Sequence, residues 1–369
     1  MTFFITARMS SANYNPQLIR VLVADDSAFM RTALTRMIES DPSLRVIATA
    51  QTGTEALEKI ASSQPDVVTL DVEMPGLNGI ETLKRIMADK PRPVIMVSSL
   101  TQEGAETTLE ALDLGAFDYV PKQLSYVSLD IVKIRDDLVA KIKAAAETGR
   151  RRPMARVAPR PETPVPAPRS SLVTPPAVIA LGTSTGGPKA LQQILPMLPA
   201  DLPVGVLIVQ HMPPGFTGPF ARRLDNLCKI SIREATAEET IEPGVVYIAP
   251  AGLHMTVARK TTSKVAIRLS PQPDNSLHRP SVDVMMLSVA EVFRSLCMGI
   301  IMTGMGADGV LGMKAIAGAG GFTLGQDEPS CTVYGMPRSC AEAGVLQRVV
   351  SLAQIPEQIL QATRYRKRA

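Results

Sequence analysis

The chain has 369 residues, 45% of them hydrophobic and 20% charged, which exceeds one ordinary domain and supplies two sizeable cores. Aromatics make up only 4% and tryptophan is absent, which argues against an aromatic-lined groove for sugars or single-stranded nucleic acid. The net charge of +4 is local: residues 150–176 hold six arginines against one acid, Arg364, Arg366, Lys367 and Arg368 close the chain, and without these five and four excess positive charges the remainder stands at −5. DNA binding thereby loses its simplest electrostatic support.

Four cysteines, Cys228, Cys297, Cys331 and Cys340, form no C-x-x-C pair and no disulfide framework, and read as reduced cytosolic thiols. A histidine zinc site would use most of the three histidines present. No apolar run approaches the ~18 residues of a membrane span. Phe3, Phe4 and Ile5 run straight into Arg8, too short a stretch for a signal peptide. The expectation is a soluble, cytoplasmic protein.

Residues 1–18 read as a flexible extension. From 19 to 146, short apolar runs at 20–24, 45–50, 66–70, 93–97 and 117–120 alternate with helical stretches near 28–40, 54–63, 79–89, 102–114 and 128–146. Five strands, each followed by a helix, predict a parallel sheet covered on both faces, with function at the carboxyl ends of the strands. Asp25 and Asp26 follow the first strand, Asp71 the third, Ser98 and Ser99 the fourth, and Lys122 the fifth. Crowded carboxylates repel one another, and an all-oxygen set calls for a hard divalent cation, magnesium or manganese. Lys122 and Ser98 would neutralise and orient a phosphoryl group. Any one of these acids alone is ordinarily a solvated loop residue or a helix cap, and Asp26 or Ser27 also suits that role. That reading does not account for three carboxylates, a hydroxyl and an ammonium together at one sheet edge.

Val23-Ala24-Asp25-Asp26-Ser27, the run Leu70-Asp71-Val72-Glu73-Met74-Pro75-Gly76-Leu77-Asn78-Gly79, Ser98-Ser99 and Pro121-Lys122 resemble a two-component receiver domain. The resemblance implies that Asp71 is the phospho-acceptor. It implies Mg2+ held by Asp25, Asp26 and Asp71, with the Glu73 backbone carbonyl as a further ligand. Ser98, Lys122 and Tyr119 would then be the switch residues.

Residues 147–176 read as a linker. Eight prolines fall between 150 and 176, with no helical or strand period, a composition that cannot bury a core and stays extended.

Beyond it, a strand at 177–181 runs into Gly182-Thr183-Ser184-Thr185-Gly186-Gly187-Pro188 and a helix to about 197. Residues 182–186 satisfy G-x-S-x-G, which exposes a serine on a sharp turn. On the motif alone three readings stand: a nucleophile, a phosphate cradle or a tight turn. A strand at 204–210 ends at His211, and one at 299–302 ends in Thr303-Gly304-Met305-Gly306-Ala307-Asp308-Gly309. Asp308 is placed either to orient an imidazole or to cap the following helix. Serine, base and acid at three strand ends of one α/β unit have the logic of a triad. The order Ser…His…Asp departs from the Ser…Asp…His of the α/β-hydrolase fold, so that fold is not assigned.

Residues 182–187, Gln210-His211-Met212-Pro213-Pro214-Gly215-Phe216, Tyr247-Ile248-Ala249-Pro250, His278-Arg279-Pro280-Ser281-Val282-Asp283 and the 303–309 run resemble the chemotaxis protein-glutamate methylesterases, the CheB family. The implied architecture is α/β throughout: a flavodoxin-like receiver with a five-stranded parallel sheet at 19–146, tethered to a doubly wound catalytic domain at 177–369. The implied activity is phosphorylation-activated hydrolysis of glutamyl methyl esters on chemoreceptors, with deamidation of receptor glutamines. Ser184 would be the nucleophile, His211 the base and Asp308 its orienting acid, with the backbone N–H groups of Met305 and Thr185 facing the oxyanion. Segments 247–250 and 278–283 would shape the substrate surface without being catalytic. The implied partners are methyl-accepting chemoreceptors and a chemotaxis histidine kinase. The esterase reaction would need no cofactor, and the protein would be a cytoplasmic monomer recruited to chemoreceptor arrays. A DNA-binding or scaffold output, a serine hydrolase with another substrate and an inactive adaptor are the competing readings.

Overall fold

The computed structural model describes residues 18–99, 101–122, 128–150, 174–262 and 264–366. The predicted extension, apart from Leu18, the linker between 151 and 173, and Lys367 and Arg368 of the basic tail lie outside the described residues.

The first unit runs β1 (Ile19–Ala24), α1 (Ala28–Glu39), β2 (Leu44–Ala50), α2 (Gly53–Ser63), β3 (Val67–Asp71), α3 (Gly79–Asp89), β4 (Val94–Ser98), α4 (Gln102–Asp113), β5 (Asp118–Pro121) and α5 (Ser128–Arg150). The sheet order is β2-β1-β3-β4-β5, all parallel. β3 and β4 are buried along their whole length, as expected where helices cover both faces. The helix starts are locally encoded. Asn78 and Glu81 form a reciprocal capping box on α3, and Ser27 and Thr52 cap α1 and α2. Observed strands lie within a residue of the predicted runs. α5 continues to Arg150, four residues into the predicted linker. Ala145 and Ala146 are buried there, and Thr148 Oγ1 donates to the Thr332 carbonyl of the second unit at 3.3 Å, which holds the last turn.

The second unit runs β6 (Val178–Thr183), α6 (Gly187–Ile194), β7 (Gly205–Gln210), α7 (Thr217–Leu227), β8 (Ser231–Glu234), β9 (Val245–Ile248), β10 (His254–Arg259), β11 (Val265–Ser270), α8 (Val282–Phe293), β12 (Cys297–Ile301), α9 (Val310–Gly318), β13 (Phe322–Gln326), α10 (Met336–Glu342), β14 (Arg348–Val350) and α11 (Ile355–Ala362). Seven strands in the order β14-β13-β12-β6-β7-β9-β8 form a wholly parallel sheet, and β10 and β11 pair as an antiparallel ribbon. The first helix stops at Ile194 and gives way to a 3-10 turn, where Pro196 has no N–H to continue it.

One apolar cluster crosses the boundary between the units. It joins Leu109, Leu112 and Tyr119 of the first to Met212, Phe216 and Phe220 of the second. All four cysteines are free, and burial pushes Cys297, Cys331 and Cys340 up to about 12, so they remain protonated thiols. Among the described residues, no helix is long and apolar enough to cross a membrane.

Candidate active site

The sheet order sets β6 between β12 and β7. The carboxyl ends of these three neighbouring strands carry the turn with Ser184, the loop with Asp308 and His211 itself. Register holds them level: Gly182 pairs with Ile301, and Thr183 with Gln210. The turn at Ser184 is sharp for two reasons. Gly186 lies at φ +77, and a Cβ at Gly187 would fall 2.0 Å from Gln210 Oε1. The Ser184 N–H donates to the Thr303 carbonyl at 3.0 Å, and Gln210 Nε2 donates to the carbonyls of Ser184 and His211, both at 3.0 Å. The serine turn, the histidine loop and the β12 loop are thus fastened together by backbone groups and the Gln210 side-chain amide.

His211 Nε2 lies 2.8 Å from Asp308 Oδ2. The other ring nitrogen, Nδ1, is buried and has no partner. Ser184 and His211 therefore stand on adjacent strand ends without a hydrogen bond between them. Asp308 is not the cap of the helix that follows it; Gly309, at φ +104, stands there. Its carboxylate instead receives the N–H groups of Val282 (2.8 Å) and Asp283 (2.9 Å) and the Ser281 hydroxyl (2.9 Å). The acid thus sits on the N-terminus of α8, where free N–H groups favour an anion. Burial alone would raise the Asp308 carboxyl, but the hydrogen bond and charge of His211, with these backbone donors, hold it far below the usual carboxylate range.

The 278–283 segment, read from sequence as a substrate surface, is therefore the cradle of the acid. The other two histidines belong to the same structure. His278 stacks on His211 with ring centroids 4.0 Å apart, and His254 Nδ1 accepts the Ser281 N–H at 3.2 Å. Sequence reasoning missed both. Their only signal was that a chain with three histidines has one of them inside a segment shared with a known family. Burial, then the neighbouring His211, lowers His278 from 6.5 to about 4. A base whose folded pKa is depressed gives stability that is complete above its unfolded pKa and is lost as pH falls toward the folded one. The melting temperature should therefore drop between pH 6.5 and pH 4. His278→Gln should flatten that slope by up to about 3 kcal/mol, read from melts across the window.

Thr185 and Met305 lie in the turns that follow the neighbouring strands β6 and β12, and their N–H groups are candidates for an oxyanion. Among the described residues, neither donates to another protein group.

In the first unit, Asp25, Asp26 and Asp71 place ligand oxygens within 4.8 Å of one another. They come together because β1 and β3 are neighbours at the point where the strand order reverses. Lys122 Nζ lies 2.5 Å from Asp71 Oδ2 and 3.4 Å from Asp25 Oδ2. The Glu73 N–H donates to Asp71 Oδ1 at 3.1 Å. Burial pushes Asp71 up to about 6 against the Lys122 ammonium. The two buried carboxylates and the exposed Asp26 form an all-oxygen donor set suited to Mg2+. The Ser98 hydroxyl is directed to the Gly104 carbonyl at 3.2 Å.

The two sites are linked. Tyr119, beside the first, stacks on Phe216, beside the second, with centroids 4.9 Å apart and planes 8° from parallel. Thr185 Oγ1 donates to Asp118 Oδ2 at 2.7 Å, so the residue after Ser184 is tied to β5. Lys141 Nζ, 3.7 Å from Asp118 Oδ2, donates to the Tyr119 carbonyl at 2.7 Å.

Residues 179–359 match the CheB methylesterase family, and residues 21–131 match the response regulator receiver domain. The chain is 46% identical over 369 residues to protein-glutamate methylesterase/protein-glutamine glutaminase 1 of Oleidesulfovibrio alaskensis, covering 94% of this chain and 99% of that one. It is 48% identical over 358 residues to the protein-glutamate methylesterase/protein-glutamine glutaminase of Symbiobacterium thermophilum, covering 93% and 97%. Among solved structures, the CheB methylesterase catalytic domain of Thermotoga maritima is 37% identical, covers 51% of this chain and 99% of its own, and gives a TM-score of 0.49. With relatives aligned across nearly their whole length and both domains matched in order, the chain belongs to the CheB methylesterase family, with a receiver domain ahead of the catalytic one.

Proposed function

We propose that this chain hydrolyses glutamyl methyl esters on methyl-accepting chemoreceptors, releasing methanol and restoring glutamate, and that it deamidates receptor glutamines at the same site. The observation that carries this reading is the His211–Asp308 pair, with Nδ1 left unpartnered, at the end of the strand paired to the one that carries the Ser184 turn. Ser184 Oγ attacks the ester carbonyl while His211 Nδ1 takes its proton and returns it to the departing methoxide. Water then cleaves the acyl-serine by the same proton route. With glutamine the leaving group is ammonia. Asp308 fixes the ring and stabilises the imidazolium. The N–H groups of Met305 and Thr185 receive the oxyanion. The reaction needs no cofactor.

On this reading residues 1–18 are an extension, 19–146 and the rest of α5 the receiver, the following stretch to 176 a linker, and 177–369 the catalytic domain. Asp71 accepts a phosphoryl group from a chemotaxis histidine kinase. Asp25, Asp26, Asp71 and the Glu73 carbonyl would hold Mg2+, which neutralises charge on the phosphoryl oxygens. Lys122 pairs with the new dianion, the Ser98 hydroxyl turns from Gly104 toward it, and Tyr119 follows. That movement strips the stack on Phe216 and frees Thr185 from Asp118. The open Ser184–His211 hydrogen bond then fits a closed, inhibited state. The enzyme acts as a cytoplasmic monomer at receptor arrays.

The test is methanol release from methylated chemoreceptor membranes, with and without a small-molecule phosphodonor and Mg2+. Phosphodonor should raise the rate about tenfold or more, a shift of about 1.4 kcal/mol in the closed–open balance. A fragment starting at residue 170 should exceed the unphosphorylated whole. No release in either condition would overturn the activity. A fragment slower than the whole would overturn inhibition by the receiver.

A further inference from the structure

The receiver sets a charged helix against the two helices that follow the Ser184 turn and the His211 loop. α4 lies against α6 and α7. Its acids Glu103, Glu106, Glu110 and Asp113 recur at spacings of three and four, which on a helix is one face. Glu110 turns to Lys84 of α3, at 3.3 Å. Glu106 and Asp113, two turns apart, reach across the boundary instead: Glu106 to Arg222 at 3.9 Å, and Asp113 to Arg223 in a close ion pair. Both arginines stand on α7, which begins directly after the His211–Phe216 loop. Arg222 also lines a cleft of about 430 Å³ with Thr217, Glu234 and Pro250, at the carboxyl ends of β8 and β9 and the start of α7. Arg223 Nε is buried and has no acceptor.

The Glu106–Arg222 pair is open to solvent, with side-chain exposures of 62% and 60%. Such pairs contribute little to stability. They do set orientation and partner choice. A pair of arginines beside an esterase site, met by a helix with carboxylates two turns apart, is a recognition surface already carrying an occupant of the right shape and sign.

We propose that the Arg222–Arg223 edge of α7 is the docking surface for the substrate helix, and that α4 is an internal acidic mimic of that helix. The substrate is then a helical receptor segment with carboxylates about two turns apart flanking the esterified glutamate. This rests on the reading of the chain as a receptor esterase. Phosphorylation exchanges one acidic helix for another on the same arginines.

Charge reversal on the two sides of this contact separates the mimic from a mere cover, because each breaks the same ion pairs. In the full-length protein, Glu106→Lys with Asp113→Lys should raise the unphosphorylated rate on receptor membranes several-fold and leave the phosphorylated rate intact. Arg222→Glu with Arg223→Glu should instead raise KM for receptor about tenfold in the phosphorylated enzyme, with kcat little changed, since rim charges act on association. The neutral pair Arg222→Gln and Arg223→Gln should give an intermediate KM, and KM should lose the rise with salt seen in wild type, a readout that misfolding would not produce. If the arginine reversal keeps the wild-type phosphorylated KM while raising the unphosphorylated rate as the α4 reversal does, the docking surface is wrong and α4 is only a cover. If wild type itself releases no methanol, the esterase reading falls and this surface falls with it.

Discussion

Ser184→Ala should cut methanol release from methylated receptors at least ~10⁴-fold, with or without phosphodonor, while leaving the melting temperature where it was. The loss follows from removing the uncommitted hydroxyl at the β6 end, since Thr183 Oγ1 donates to the Thr303 carbonyl at 2.8 Å and Thr185 Oγ1 to Asp118 Oδ2 at 2.7 Å. The unchanged stability follows from the contacts: among the described residues, the turn is held by the Ser184 N–H and carbonyl, and its hydroxyl makes no hydrogen bond. A solvent-reachable hydroxyl with no partner is worth within about 0.5 kcal/mol. A stable but inactive variant assigns the serine to chemistry. An active one would return the G-x-S-x-G turn to a structural or anion-binding role.

Asp308→Asn should cost both rate and stability. An amide cannot hold the imidazolium, and the rate should fall ~10⁴-fold. The carboxylate also accepts from Val282, Asp283, Ser281 and His211. An amide would turn its NH2 toward one pair of these donors, at a cost of about 2–4 kcal/mol. The pH sign follows from the lowered pKa of Asp308. Its contribution to stability is present above the usual aspartate pKa and is lost as pH falls below it. The gap between wild type and Asp308→Asn should therefore be full at neutral pH and close in acid. The double variant Ser184→Ala with Asp308→Asn should be no slower than Ser184→Ala alone, because triad members act as a unit. Additive losses in the double variant would mean that Asp308 works apart from the serine.

Two features were readable directly from residue order. Short apolar runs ending in Asp25, Asp71, Ser98 and Lys122 announce strands whose ends meet, because a parallel sheet with helical crossovers leaves few ways to arrange them. The turn at Ser184 and the caps at Ser27, Thr52 and Asn78 are local as well: backbone φ, a missing Cβ or a side-chain oxygen decides them within a few residues. This covers the strands and helices of the first unit to within a few residues, and in the second unit the three strands that lead to Ser184, His211 and the 303–309 loop, but not β8, β9, β10, β11, β13 or β14.

Choices between partners were another matter. Asp308 before a helix reads equally well as a cap. Only the fold, by bringing the start of α8 from 26 residues away, turns that carboxylate to His211 and Val282. His254 and His278 had no local pattern, because what they do depends on a ring and an N–H supplied by other elements. The tie from Thr185 to Asp118 spans 67 positions, and that from Arg223 to Asp113 spans 110. The sequence by itself determined which elements form and which chemical groups stand at their ends, since propensity, capping and strand order act at short range or through topology. Tertiary structure alone decided which of those groups meet, which nitrogen of His211 stays open and which receiver helix lies against α6 and α7, since these contacts depend on burial and on approach between segments that no local pattern connects.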